Sequence, residues 1–344
     1  MNLFLYLREL EGGFDFEKAV CNHGFFMMAP NVWSPKRKSL SRPLMLSNSS
    51  LVMVTISHPH IHPFLVIQVH GIDNVRRDDE ELIFQQVRRM LRFTSKEGGD
   101  VTAFHQLHKA AKESGFGRIF RSPSLFEDMV KSILLCNSTW ERTLLMASRL
   151  CALQSKLADR TRRSRKRKRD QEPKKETCGN FPSAKEIASL DKDFINEHCK
   201  LGYRAKWIIE LAKMVERKSL NLEEMEKREM EPAKVIGKLR KLKGFGVFAT
   251  ATVLMCIGYY HLVPSDTETL RLLREMHGME ECSKMTLEKE AQVFYARYSP
   301  FQSLAYWFDL IQNYEAKHGK LSELSPRDYN RVGGCSYMNQ LKAD

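Results

Sequence analysis

The chain has 344 residues, 42% of them hydrophobic and 28% charged, enough to bury one or two cores. Its formal charge of +13 favours a polyanionic partner, but residues 160–175 hold ten basic groups against two acidic ones, so one segment supplies most of the excess. No apolar run approaches the ~18–20 residues that cross a bilayer, and the N-terminus turns acidic too early for a cleaved signal or transit peptide; the expectation is a soluble, intracellular protein without a membrane partner.

In chain order, Phe14 to Val20 suits a short helix covering a sheet. Leu51–Ser57 and Phe64–His70 are β-branched runs separated by a Pro/His turn and closed by Gly71, which suggests an antiparallel pair. The turn carries His58, His60 and His62, but it has no neighbouring cysteine or acidic ligand, and no metal is expected there. After residue 78 the pattern turns helical. Asp79 is a candidate cap for Glu80–Phe93, with Ile83, Val87, Met90 and Leu91 on one face. A helix follows from Thr102 or Ala103, another from Ser122-Pro123 with Leu125, Met129, Ile133 and Cys136 on its buried face, and a third from Trp140 to Leu153.

Residues 157–179 contain almost nothing to bury and read as a disordered basic insertion. Within them Arg165, Lys166, Arg167, Lys168 and Arg169 form a dense block that suits a nuclear-import receptor or loose phosphate contacts, the plainer reading being a solvated charge run. Order resumes at Phe181-Pro-Ser183, where Ser183 and Glu186 have capping-box spacing. Helices are expected near 191–199, 203–217, 232–242, 247–257, 267–276, 287–296 and 301–314, the last with Phe301, Leu304, Ala305, Phe308 and Ile311 on one face. The expected fold is therefore α+β: a strand-rich subdomain over 1–78, an all-α domain over 79–320 and a C-terminal tail over 321–344. The eight cysteines, from Cys21 to Cys335, form no CxxC pair and read as reduced thiols.

The most informative stretch is Leu239-Arg-Lys-Leu242-Lys243-Gly244-Phe-Gly246-Val-Phe248. Apolar residues at helical spacing lead into a Gly-x-Gly turn, and a second helix leaves at once. Glycines permit positive φ and remove side chains, so amides at the new helix start can approach a phosphate. An αα-turn with glycines for packing alone is the competing reading. Downstream, Val263-Pro264-Ser265-Asp266 precedes another helix, so Asp266 is a candidate N-cap. A cap can also be a catalyst, since the helix dipole favours the ionised carboxylate.

A helix-hairpin-helix, a Gly/Pro loop and an Asp in this order resemble the helix-hairpin-helix/Gly-Pro-Asp DNA glycosylase superfamily, and most closely its 8-oxoguanine glycosylase branch. Supporting segments are Phe104-His-Gln-Leu through Arg118-Ile-Phe-Arg-Ser-Pro, Cys136-Asn137-Ser-Thr-Trp-Glu-Arg142, Phe181-Pro-Ser and Leu201-Gly-Tyr203-Arg204-Ala. The resemblance spans roughly 115–315. It implies Asp266 as catalytic carboxylate, Gly244, Gly246 and Lys243 at the DNA backbone, Asn137 in the gap left by an extruded nucleotide, and Tyr203 as a wedge. Arg142 and Arg204 would reach the opposite base, cytosine in the family; by themselves they read as surface ion-pair partners. Phe248 and Phe301 are candidates for the base pocket, with Tyr298 and Trp307 as further aromatics.

Phe248 also marks the departure. Bifunctional members carry a lysine there, two residues past the second hairpin glycine, and phenylalanine cannot form a Schiff base. Lys241 and Lys243 lie on the other side of the hairpin. The usual Thr-Ala pair is shifted too, reading Ala249-Thr250-Ala251. The expectation is a monofunctional, monomeric DNA N-glycosylase of base-excision repair, nuclear, without cofactor, acting on double-stranded DNA with a damaged base. The alternative is a noncatalytic damaged-DNA-binding protein of the same fold. The lesion stays open: the opposite-base residues suggest a guanine-derived lesion, whereas Phe248 suggests alkylated purines.

Overall fold

The computed structural model describes residues 1–7, 14–59, 62–165 and 179–333, with backbone only over 158–165. Five strands, β1 (Asn2–Tyr6), β2 (Val32–Ser34), β3 (Ser39–Met45), β4 (Leu51–Ser57) and β5 (Phe64–Val69), form one antiparallel sheet in the order β1-β5-β4-β3-β2. Strict alternation sends Val52, Val54 and Ile56 of β4, and Leu65, Ile67 and Val69 of β5, into the core. The expected pairing of these two runs is present. The other three strands were not legible, and β3 shows why: it contains Arg42 and Pro43. Pro43 is tolerated because β2 pairs only as far as Ser41, so the missing N–H faces no partner.

The sheet is followed by helices. Between residues 16 and 165 lie α1 (Phe16–Val20), α2 (Arg77–Leu91), α3 (Ser95–Leu107), α4 (Lys109–Ser114), α5 (Leu125–Leu135) and α6 (Trp140–Arg165). Next come α7 (Ala184–Ala188), α8 (Lys192–Cys199), α9 (Arg204–Glu216), α10 (Leu222–Glu226) and α11 (Pro232–Arg240). The last are α12 (Val247–Ile257), α13 (Thr267–His277), α14 (Leu287–Phe294) and α15 (Gln302–His318). The α+β class expected from the sequence is thus the observed one.

Several helix starts differ from expectation because local hydrogen bonds choose the cap. Asp79 lies inside the first turn of α2, and its carboxylate accepts instead from Ser47 N at 2.8 Å and Ser47 Oγ at 2.7 Å. Thr94 caps α3 well before Thr102. Ser124, not Ser122, caps α5, while the Ser122 amide donates to Asp128 and Pro123 stays outside the helix. The Ser183–Glu186 capping box is present. Helix α6 continues to Arg165, past residue 157 where the basic insertion was expected to begin. Residues 321–333 are also no free tail. Trp33 Nε1 donates to the Ser322 carbonyl at 2.7 Å, Trp140 Nε1 donates to the Tyr329 carbonyl at 2.7 Å, and Leu321, Tyr329 and Val332 are buried.

Sheet and helices are joined by a buried ionic cluster. Arg42 of β3 donates to Glu127 of α5 at 2.9 Å, and Lys131 lies 2.8 Å from the same carboxylate. Burial alone would raise the Glu127 carboxyl, but Arg42 and Lys131 hold it at about 2. Such a cluster fixes geometry more than it adds stability, because desolvation offsets most of the attraction, while removal of one partner costs about 3–5 kcal/mol. Helix α12 packs against α5. Its C-terminal carbonyls are held by two arginines: Arg92 donates to Met255 O at 2.7 Å and Arg121 to Cys256 O at 2.6 Å. Cations at a helix C-terminus complement its dipole.

Candidate functional site

Asp266 caps α13. Its Oδ1 accepts from Glu268 N and Thr269 N, both at 3.0 Å, and lies 3.1 Å from Thr269 Oγ1; Thr269 Oγ1 in turn accepts from the Asp266 amide. Oδ2 receives no donor among the described residues and is not among the fully buried unpartnered atoms. The half-buried carboxyl is lifted to about 6, first by desolvation and then by the neighbouring Glu268, against the Thr269 and Glu268 hydrogen bonds that lower it. The cap hydrogen bonds favour the anion, as expected of a helix N-terminus, but loss of water outweighs them. At neutral pH the group is still mostly ionised, and it is a better base than an ordinary carboxylate.

The hairpin occupies Leu239–Val247 between α11 and α12. Leu239 and Phe245 are buried and anchor its two arms. Gly244 has φ +90°, and a Cβ there would come within 2.8 Å of the Trp207 ring, so this position requires glycine twice over. Gly246 does not use positive φ, so of the two properties expected of the glycines it uses only the missing side chain. It has φ −73° as N-cap of α12, is exposed, and would meet nothing within 4 Å of an added Cβ. Its value lies in leaving the helix start bare. No side chain caps α12, and the first-turn amides of an 11-residue helix have no intrahelical acceptor. Lys243 is exposed beside this turn, its Nζ only 3.9 Å from Glu210.

The segments singled out near residues 137 and 203 meet at the same place. Asn137 is exposed in a left-handed conformation, φ +48°, just past the end of α5. The Arg204 guanidinium holds this turn by donating to the carbonyls of Cys136 and Asn137, the latter at 2.9 Å. Arg204 is buried, 1% exposed, with Nη2 given to these carbonyls and Nε left without a partner. It supports the Asn137 turn instead of presenting itself to a base edge, which corrects its expected placement. Arg142 is exposed near it and near Gly202. Tyr203, 46% exposed, lies over the Arg204 guanidinium at 4.6 Å and edge-on to Trp207 at 4.7 Å. Trp207 is the residue under Gly244, and the Cys136 thiol points 3.7 Å from the Gly244 carbonyl. Cys136 also feels the Asp266 charge. Asn137, Arg142, Tyr203 and the hairpin are thus gathered around Cys136 and Trp207, with Asp266 close enough for its charge to act on the Cys136 thiol.

Two pocket candidates separate. Phe248, in the first turn of α12, is half-buried against the core. Phe301 precedes α15, is 7% exposed, and packs on Phe104 and Tyr260 with ring centres 6.0 and 6.1 Å away. Its place is the core, as helical spacing already allowed, so it is no exposed stacking surface. Trp307 is met edge-on by His23 at 4.5 Å, and its Nε1 is buried without a partner.

Three contributors escaped the sequence reading: Trp207, Thr269 and Tyr306. Thr269 had a local signal, being three residues after a capping Asp. Tyr306 had none, since it reaches Thr269 Oγ1 at 3.0 Å across 37 positions. Among the described residues no group of His, Cys, Asp or Glu could hold a metal. No described helix is long and apolar enough to cross a membrane. The side chain of Arg165, and all of His60, Lys166, Arg167, Lys168, Arg169, Cys178 and Cys335, lie outside the described residues.

Residues 130–297 match the family model of the HhH-GPD superfamily base excision DNA repair proteins. A search of curated proteins finds no match. Among solved structures, a 3-methyladenine DNA-glycosylase from Archaeoglobus fulgidus superposes with TM-score 0.64 at 18% identity, over 91% of this chain and 99% of its own. An 8-oxoguanine glycosylase/lyase from Clostridium acetobutylicum, in its apo form, gives 0.57 at 14% identity over 89% and 94%. Its complex with double-stranded DNA containing cytosine opposite 8-oxoG gives 0.54 at 15% identity over 90% and 92%. At these identities the likeness is one of fold.

Proposed function

From a chain that belongs to the HhH-GPD superfamily, we infer a monofunctional DNA N-glycosylase that removes a damaged base by hydrolysis. The observation that carries this reading is Asp266: a carboxylate with one oxygen fully bonded and the other without a donor among the described residues, near the hairpin and the Asn137–Tyr203 pair. Bare amides at the start of α12 suit a backbone phosphate. Asn137 and Tyr203, exposed on either side of the Arg204-braced turn, suit the space vacated when a nucleotide leaves the stack. Asp266 Oδ2 then stabilises positive charge building on the sugar, or takes a proton from the attacking water. The glycosidic C1′–N bond breaks, water oxygen bonds to C1′, and the base leaves with the proton.

Phe248 supports hydrolysis over lyase chemistry, because no amine occupies that first-turn position. The test is incubation with duplexes carrying oxidised or alkylated purines opposite cytosine. Strand breaks are expected only after hot alkali; breaks without alkali would show that another amine attacks the sugar. Phe248 also favours a second reading, a damaged-DNA-binding protein without catalysis, and tight binding to abasic-site duplexes with no base released from any lesion would establish it. The basic block supports nuclear residence through an import receptor; unchanged nuclear accumulation after deletion of residues 160–175 would refute that.

A further inference from the structure

We propose that Arg92 and Arg121, bridged by Glu97, are positioning residues: they fix the C-terminal end of α12, and so the spacing between the hairpin amides and Asp266. This inference rests on the reading of Asp266 as the reacting carboxylate and of the hairpin amides as a phosphate site. A helix leaves its last carbonyls without intrahelical donors. At the end of α12 the amides of Gly258 and Tyr259 both go to Leu254 O, at 2.9 and 2.8 Å, which leaves Met255 O and Cys256 O for other elements. Arg92 supplies Met255 O at 2.7 Å, and Arg121 supplies Cys256 O at 2.6 Å. Glu97 of α3 lies between the two guanidiniums, 3.4 Å from Arg92 Nη1 and 2.5 Å from Arg121 Nη2. Their Nε groups are also spent on backbone, Arg92 on Ile119 O at 2.6 Å and Arg121 on Arg89 O at 2.7 Å. All three side chains are more than nine-tenths buried.

Little else holds α12 directionally. Residues 249–257 are all buried and mostly apolar, and the hydroxyls of Thr250 and Thr252 bond back to Phe245 O and Phe248 O. Apolar burial is non-directional and resists separation more than sliding along the axis, whereas a guanidinium fork meets its acceptors in a fixed plane. Charge favours the same seat. Among the described residues, Arg92, Arg118 and Arg121 share one carboxylate, Glu97. The excess is met by the negative ends of two helices, through Arg89 O and Arg92 O at the end of α2 and the two carbonyls of α12. The cluster also touches the start of the loop that carries Asp266. Arg92 lies 5.6 Å from the centre of the Tyr260 ring, and Arg228, paired with Asp100 at 2.6 Å, fills the space beside Gly258. That loop opens at Gly258 and closes at Asp266, while the hairpin amides stand at the other end of the same 11-residue helix. One element therefore joins phosphate site and carboxylate, and the arginines set where it stops.

The test separates chemistry from binding and from folding. Single-turnover base release and abasic-site affinity are measured for the wild type, Arg121→Lys, Arg121→Ala and the sheet-core control Val54→Ala, each well below its own melting transition. A shift of Asp266 against the bound DNA predicts a rate loss of roughly 10- to 100-fold in Arg121→Ala, with abasic-site Kd within about threefold of the wild type. Arg121→Lys keeps the charge but has no fork to span Cys256 O, Arg89 O and Glu97, and is expected to lose about tenfold. Millimolar guanidinium should restore part of the Arg121→Ala rate, and sodium at equal ionic strength should not. Val54→Ala should melt lower and keep its rate. A second readout needs no substrate: the backbone amide NMR shifts of Asp266 and Thr269 should move in Arg121→Lys and stay fixed in Val54→Ala. Unchanged rates and shifts in Arg121→Lys, or rate and affinity falling together, would overturn the proposal and leave the cluster as core packing. Should Arg121→Ala not fold, Arg121→Lys decides alone. Failure of the wild type to release any base would instead overturn the glycosylase reading, and the amide shifts would still decide whether the arginines set the loop.

Discussion

Asp266 is pulled two ways, and its chemistry depends on which side wins. As an N-cap it receives two amides and a hydroxyl, which favour the anion; as a desolvated group it resists ionising, and the balance stands at about 6. The folded chain therefore holds this proton more tightly than the unfolded chain, whose carboxyl titrates near ~4. Its contribution to stability is full below that lower value and is lost as pH rises through about 6. Asparagine caps helices as well as aspartate does. Asp266→Asn is accordingly expected to melt above the wild type at pH 7.5, with the difference vanishing near pH 4, as followed by thermal denaturation at both pH values. A variant no more stable at pH 7.5 would mean that the carboxylate is solvated and unstrained. The sequence exposed Asp266 through the Pro-x-Asp turn ahead of a helix. It could not expose the desolvation, which depends on the tertiary surroundings of the carboxyl.

At the scale of elements, the hairpin's two glycines look alike in the sequence and differ in the structure. Gly244 is fixed by positive φ and by the Trp207 ring, whereas Gly246 sits in ordinary conformation with open space beside it. Gly244→Ala is expected to cost about 1–3 kcal/mol in urea denaturation. Gly246→Ala should leave stability within about 0.5 kcal/mol but weaken DNA binding, because its methyl would stand where a phosphate must approach. Equal destabilisation by both would contradict this division. The bounds of α12 were legible to the residue, since a Gly-x-Gly turn and Gly258 punctuate an uninterrupted apolar run. Strand β3 was not, because a buried Arg42 and a Pro43 count against a strand until Glu127 and the short β2 are known. Arg204 failed for the same reason: whether an arginine meets solvent or two carbonyls is settled by tertiary contact.

At the scale of the molecule, the sheet and the C-terminal turns brace a helical body that carries all the candidate site residues lying among the described residues. Arg42–Glu127 joins β3 to α5, and Trp33 and Trp140 bind the 321–333 segment back onto the sheet and α6. The helical body could be read from period and caps. The bracing could not, because it rests on contacts between residues as far apart as Trp33 and Ser322. Charge gave only a partial guide: much of the +13 lies in residues 160–175, while the region around Asp266 is recognisable by bare amides, an exposed tyrosine and a carboxylate oxygen without a donor among the described residues. The most direct measurement is single-turnover base release from a lesion-bearing duplex by the wild type and Asp266→Asn, alongside abasic-site binding by both. The expected result is release by the wild type, a loss of at least about a hundredfold in the variant, and equal binding. Release at the same rate by both proteins would contradict the role given to Asp266.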